Sequence, residues 1–133
     1  MSEVHKGSCL CGGVRFEVHG PLRPVIFCHC TQCRKQTGHF LAATSCAKAD
    51  FRYISDKGLS WYRASEAARR GFCGTCGSTL FWDPDRGDAI SIAAGSIDGE
   101  TGIKPEGHIF CANKGDYYDI PAHEGYRKAQ WED

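Results

Sequence analysis

Seven of the nine cysteines in this 133-residue chain fall into three short runs, and no other feature restricts the fold as much. The runs are CLC (Cys9, Cys11), CHCTQC (Cys28, Cys30, Cys33) and CGTC (Cys73, Cys76), while Cys46 and Cys111 stand alone. Two thiolates one or two residues apart can share a metal ion where the backbone turns tightly. Glycines serve that turn here: Gly12 and Gly13 follow the first run, and Gly74 and Gly77 flank the last cysteines. A closed tetrahedral structural zinc site takes four ligands. CLC and CGTC together supply four, stapling two loops far apart in the chain, and a metal held there contributes to folding.

CHCTQC supplies only three thiolates. A fourth ligand is open to His29, His39, Cys46, Cys111, a water or a substrate. Structural sites are closed whereas catalytic sites keep one position free, so three clustered thiolates read as an exchangeable site. His29 lies between two ligands and is expected to point away from the metal; His39 is a candidate ligand or proton carrier. Three other readings compete: a second closed site completed by His39 or Cys111, a redox pair at Cys30 and Cys33, and a disulfide framework. Cys28 beside the pair and the lack of a βαβ pattern argue against redox chemistry. The odd cysteine count and the lack of an export signal argue against disulfides. Cys46 and Cys111 are read as small buried hydrophobes.

The rest of the chain predicts a mainly β fold with little helix. Alternation marks strands in GGVRFEVHG (12–20), KADFRYIS (48–55), STLFWDP (78–84), DAISIAAGSI (88–97) and HIFCANK (108–114), and PVIF leads into the second cysteine run. A turn or two of helix fits RKQTGHFLAA (34–43), and SEAARR (65–70) reads as a loop or short turn. Phe72, Phe81 and Trp82 are assigned to the core. One domain over 1–133 is expected, with its core at about 5–121 and a polar C-terminal tail that wraps the surface or frays. Lysine plus arginine equals aspartate plus glutamate, 16 each, which gives no basic excess for nucleic acid. No apolar run is long enough to span a membrane. The N-terminus lacks the apolar segment of a secretory signal, so a cytoplasmic location is expected. No phosphate-binding glycine loop, H-E-x-x-H or serine elbow occurs.

The ordered segments KGSCLCGGVRFEV, CHCTQCRKQTG, RRGFCGTCGSTLFW and GHIFCANK resemble the glutathione-dependent formaldehyde-activating family, also called Gfa or centromere-protein-V-like, over about 5–121. The resemblance implies an Mss4-like fold of small coiled antiparallel β-sheets stapled by zinc. It implies a structural Zn2+ at Cys9, Cys11, Cys73 and Cys76, and a second, more labile Zn2+ at Cys28, Cys30 and Cys33. It also implies a carbon–sulfur lyase of the S-(hydroxymethyl)glutathione synthase type, with glutathione or a similar thiol and formaldehyde or another small aldehyde as partners. CANKGDYYDIPAHEGY departs from the family pattern at Cys111 and Tyr117 and keeps it at Tyr118, Ile120 and Pro121.

With that implied chemistry, Cys28, Cys30 and Cys33 are the catalytic set and His39 relays a proton. Arg34 and Lys35 are the first candidates to meet glutathione carboxylates, ahead of Arg69 and Arg70. The rival reading is a non-enzymatic zinc-binding structural or protein-interaction module. The long basic extension such a module would favour is absent from this sequence.

Overall fold

The computed structural model describes residues 3–131. Its strands are β1 His5–Ser8, β2 Val14–Val18, β3 Val25–Cys28, β4 Leu41–Ala47, β5 Phe51–Asp56, β6 Leu59–Tyr62, β7 Ala68–Cys73, β8 Thr79–Pro84, β9 Ala89–Ala93, β10 Pro105–Ile109 and β11 Tyr126–Arg127. The α-helix, α1, spans Thr31–Thr37, and 3-10 turns fill Lys48–Asp50, Ala94–Ser96 and Cys111–Asn113. A three-stranded sheet runs β1-β2-β5. An eight-stranded sheet runs β11-β10-β3-β4-β9-β8-β7-β6. Pairing is antiparallel except at one end, where β10 lies parallel to both β3 and β11. The mainly β class stands, and the larger sheet is wider than short strands alone suggested.

Side chains alternate across a strand, and this chain uses both faces of the larger sheet. One face carries Leu80, Ile90 and Ile92 against Val14, Phe16 and Val18 of β2, all buried. Phe16 sits at the centre: its ring stacks on Phe51 at 5.4 Å and meets Phe81 edge-on at 5.2 Å. Gly7, opposite Phe16 on β1, leaves room for that ring, since a Cβ there would lie 2.1 Å from it. The other face carries Ala43 and Ser45 of β4, Arg70 of β7, Trp82 of β8, and Ala89 and Ser91 of β9. Small residues on its central strands leave a depression there, and these residues line a cleft of about 770 Å³.

Three segments differ from the sequence-based expectation. SEAARR feeds strand β7, because two-sided pairing with β6 and β8 outweighs its local helical preference. α1 begins three residues earlier than expected, inside the cysteine run, and Leu41, Ala42 and Ala43 open strand β4. Gly38 in the left-handed conformation (φ +84°) stops the helix and returns its N–H to Arg34 O. HIFCANK is strand only to Ile109, then turns.

Within the described residues the C-terminal tail wraps the surface. Lys128 N donates to His108 O, Cys111 N donates to Lys128 O, and Tyr126 covers Gly107. Cys46 is buried as expected, whereas Cys111 is only part-buried.

Phe16→Ala should lower unfolding free energy by about 3–5 kcal/mol through the cavity it leaves. Urea melts followed by Trp fluorescence would check it; a loss below 1 kcal/mol, on the order of a surface substitution, would show that the two sheets do not depend on this ring.

Candidate metal centres and substrate cleft

Two β-turns build the first sulfur cluster. Gly12 N bonds Cys9 O in the β1–β2 turn, and Gly77 N bonds Cys73 O in the β7–β8 turn; both glycines have positive φ. Leu10 N donates to Ser78 Oγ and ties one turn to the other. The four sulfurs of Cys9, Cys11, Cys73 and Cys76 all lie within 4.8 Å of one another. Cys9–Cys11 is 3.6 Å and Cys11–Cys73 is 3.8 Å. A tetrahedron with metal–sulfur bonds of about 2.3 Å has an edge of about 3.8 Å, so the set fits a tetrahedral metal. No disulfide joins any of the nine cysteines. Hydrogen bonds from the Ser78 hydroxyl and backbone push the Cys76 thiol down to about 5.

The second cluster is built by a strand end and a helix start. Cys28 closes β3; Cys30 is the N-cap of α1, where its sulfur accepts from Cys33 N at 3.3 Å; Cys33 follows in the first turn. Their sulfurs also lie within 4.8 Å of one another, and no histidine, carboxylate or further cysteine joins them among the described residues. Hydrogen bonds from the Cys28 and Cys33 thiols hold Cys30 down to about 2, while Cys30 and Cys33 drive Cys28 upward. One negative charge therefore satisfies this trio when it is alone, and three thiolates together call for a cation. Sulfur donors at this spacing suit a thiophilic ion.

These three sulfurs line the 770 Å³ cleft on the second face of the larger sheet. Its walls include Leu41, Trp82, Ile109, Phe110 and Trp131, and its cations are Arg23 and Arg70. Arg70 stands opposite Trp82 in the β7–β8 register. Its Nη1 donates to Cys33 Sγ at 3.5 Å and Gln36 Oε1 at 2.9 Å, and its Nη2 to Gln32 Oε1 at 3.1 Å. Trp82 was assigned to the core by sequence; it is half-buried and faces the cleft, because its neighbour Phe81 takes the core side of β8.

The other sequence candidates lie elsewhere. Lys35 is exposed and lines a shallower depression of about 640 Å³ with Tyr62 and Phe72. Arg34 is part-buried outside the cleft lining, and Arg69 pairs with Asp83 and stacks on Trp61. His39 bonds the Tyr117 hydroxyl at 3.1 Å and is not a member of the sulfur cluster.

His29 points away from the sulfurs into a buried relay that sequence inspection missed. Tyr118 OH meets His29 Nδ1, His29 Nε2 meets His108 Nδ1 at 2.7 Å, and His108 Nε2 meets Glu124 Oε1 at 3.0 Å. Burial, then the neighbouring His108, lowers His29 to about 4, and burial lowers His108. With both rings neutral and Glu124 Oε1 as acceptor, one set of tautomers satisfies every contact. His108 donates to Glu124, His29 donates to His108, and Tyr118 donates to His29. The C-terminal segment thereby fixes the residue between two cluster cysteines. In the sequence His29 stood out only as the residue between two candidate ligands, and nothing tied it to Tyr118, His108 or Glu124.

Cys9→Ser should lower the thermal midpoint and cost the first metal, whereas Cys30→Ser should cost the second metal and leave the midpoint near wild type. Native mass spectrometry with thermal melts separates these; equal loss of folding in both variants would contradict the division. Tyr118→Phe, which unhooks the relay from His29, should weaken the second site about tenfold in chelator competition and leave the first unchanged. Equal weakening of both sites would count against a local effect.

The model of a family described as glutathione-dependent formaldehyde-activating enzyme matches residues 4–113. A Halomonas elongata protein named "Putative glutathione-dependent formaldehyde-activating enzyme" is 33% identical over 130 residues, covering 90% of this chain and 82% of that protein. An uncharacterized lyase of Schizosaccharomyces pombe is 27% identical over 117 residues, covering 87% of this chain and 85% of its own length. A crystal structure of a Rhodobacter sphaeroides protein superposes with a TM-score of 0.60 at 25% identity, covering 73% of this chain and 91% of that one. With the family's match running through both sulfur clusters, this chain belongs to the glutathione-dependent formaldehyde-activating enzyme family.

Proposed function

We propose that the protein is a zinc-dependent carbon–sulfur lyase that reversibly adds glutathione, or a similar thiol, to formaldehyde or another small aldehyde. One observation carries this reading: three sulfurs with no fourth protein donor among the described residues open onto a cleft large enough for a tripeptide. Cys9, Cys11, Cys73 and Cys76 would hold a structural zinc, and Cys28, Cys30 and Cys33 a second. A zinc bound by the latter three would supply a free coordination position and lower the pKa of a thiol arriving there.

The chain's own residues do the rest. Cys28, Cys30 and Cys33 hold the reacting end at the cleft floor, and Arg70 beside Cys33 offsets their negative charge. The apolar walls exclude water from the thiolate. The thiol gives up its proton, its sulfur attacks the aldehyde carbon, a C–S bond forms, and the carbonyl π pair moves to oxygen. That oxygen then takes up the proton the thiol released, passed through solvent at the cleft mouth, giving the S-hydroxymethyl product; the reverse sequence is the lyase reaction. His39, Arg34 and Lys35, the sequence candidates for proton transfer and carboxylate binding, lie outside the cleft lining. A thiol-dependent reaction on free cysteines suits a reducing compartment such as the cytoplasm.

Exchange NMR with 13C-formaldehyde and glutathione should show the adduct forming faster with the two-metal protein than in buffer. Cys30→Ser, with the first metal retained, should return the rate to that of buffer. A two-metal wild type that leaves the rate unchanged would favour the non-enzymatic zinc module.

A further inference from the structure

The cleft contains a buried cation whose donors are not all used. Arg70 is 5% exposed. A guanidinium offers five N–H donors, and three of Arg70's have acceptors: Cys33 Sγ and Gln36 Oε1 on Nη1, and Gln32 Oε1 on Nη2. Its Nε–H is buried and has no hydrogen-bond partner, and Nη2 carries one more N–H than its single bond uses. Leaving such a donor unpaired away from water is costly, and a buried cation ordinarily has a carboxylate beside it. Among the described residues no carboxylate pairs with Arg70, and the sulfur of Cys33 is the one acidic group it touches.

The other arginines near this face are already committed. Arg69 is held by Asp83, and Arg63 by Asp85. Arg23, the cleft's second cation, donates Nε to Pro24 O and Nη2 to Ala43 O and, unlike Arg70, has no buried donor left without a partner. Arg34 also has an unpartnered Nε, but it is less buried and does not line the cleft. Arg70 thus combines burial, an unused donor and a place in the cleft wall, and it touches the sulfur cluster through Cys33. Gln32 and Gln36, one turn apart on α1, clamp the guanidinium, so its orientation is set before any ligand arrives.

We propose that Arg70 is the anion subsite of this cleft, taking a carboxylate of the thiol substrate through Nε–H and the spare Nη2 N–H. Guanidinium groups bind carboxylates in this two-point manner. The cleft then selects thiols that carry a carboxylate a few bonds from sulfur, with the sulfur at Cys28, Cys30 and Cys33 and the carboxylate on Arg70. The sulfur half rests on the function proposed above; the carboxylate half can be tested without a thiol.

The test is 1H–15N NMR of the arginine Nε–H signals of metal-loaded wild-type protein. The Arg70 signal is assigned through its side-chain carbons and checked by its loss in Arg70→Lys. The probes are propionate, 3-mercaptopropionate and 3-mercaptopropionamide. Both carboxylates should move the Arg70 Nε–H saturably, and 3-mercaptopropionate should bind about tenfold or more tighter than its neutral amide, as a charge-assisted pair requires. Saturable binding that shifts only Arg23 or Arg34, equal affinity for acid and amide, or no binding of any probe would each overturn the subsite. Propionate moving Arg70 with no gain from the thiol would support the subsite while removing the thiol reading. Acid and amide binding equally through sulfur would do the reverse.

Discussion

Crowded sulfur is the constraint on which the rest of this structure depends. Seven cysteines converge into two clusters, and like-charged thiolates at such spacing are tolerated only around a cation. The four-sulfur cluster joins the β1–β2 turn to the β7–β8 turn. That junction brings the small sheet onto one face of the large one, with Phe16 between Phe51 and Phe81. A chain of this size has a modest core, and a metal held between its two sheets would offset part of the ordering entropy that core must overcome.

The three-sulfur cluster obeys the same chemistry with the opposite result. Its loop lies at the end of β3 and the start of α1, and the second face of the sheet opens a cleft beside it instead of a packed core. The difference traces to side-chain size. Ala43 and Ser45 on β4, and Ala89 and Ser91 on β9, leave space where Leu80, Ile90 and Ile92 fill the opposite face. A metal enclosed by four sulfurs would staple the fold, whereas one held by three beside a cavity would keep a position open, as the proposed function requires.

Two buried polar assemblies hold the incomplete cluster from either side. Arg70 and the glutamines of α1 fix the Cys33 end. The Tyr118–His29–His108–Glu124 relay fixes the backbone between Cys28 and Cys30. Both draw on chain segments distant from the cysteine run. The orientation of the three sulfurs is therefore a property of the assembled fold and not of the loop alone.

The sequence by itself determined how the cysteines divide, because C-x-C and C-x-x-C spacing with adjacent glycines is local chemistry that does not depend on the rest of the chain. It also determined the strands with clear alternation, such as Val14–Val18 and Thr79–Pro84, since one buried face imposes a period of two. Only the tertiary structure decided β7, whose local preference was overridden by pairing on both sides. It also placed Trp82 on the cleft and brought Arg70 against Cys33 and Tyr118 against His29. The physical reason is separation along the chain: which face of a sheet meets which loop depends on strand order and register, and neither is written in the composition or spacing of any single segment.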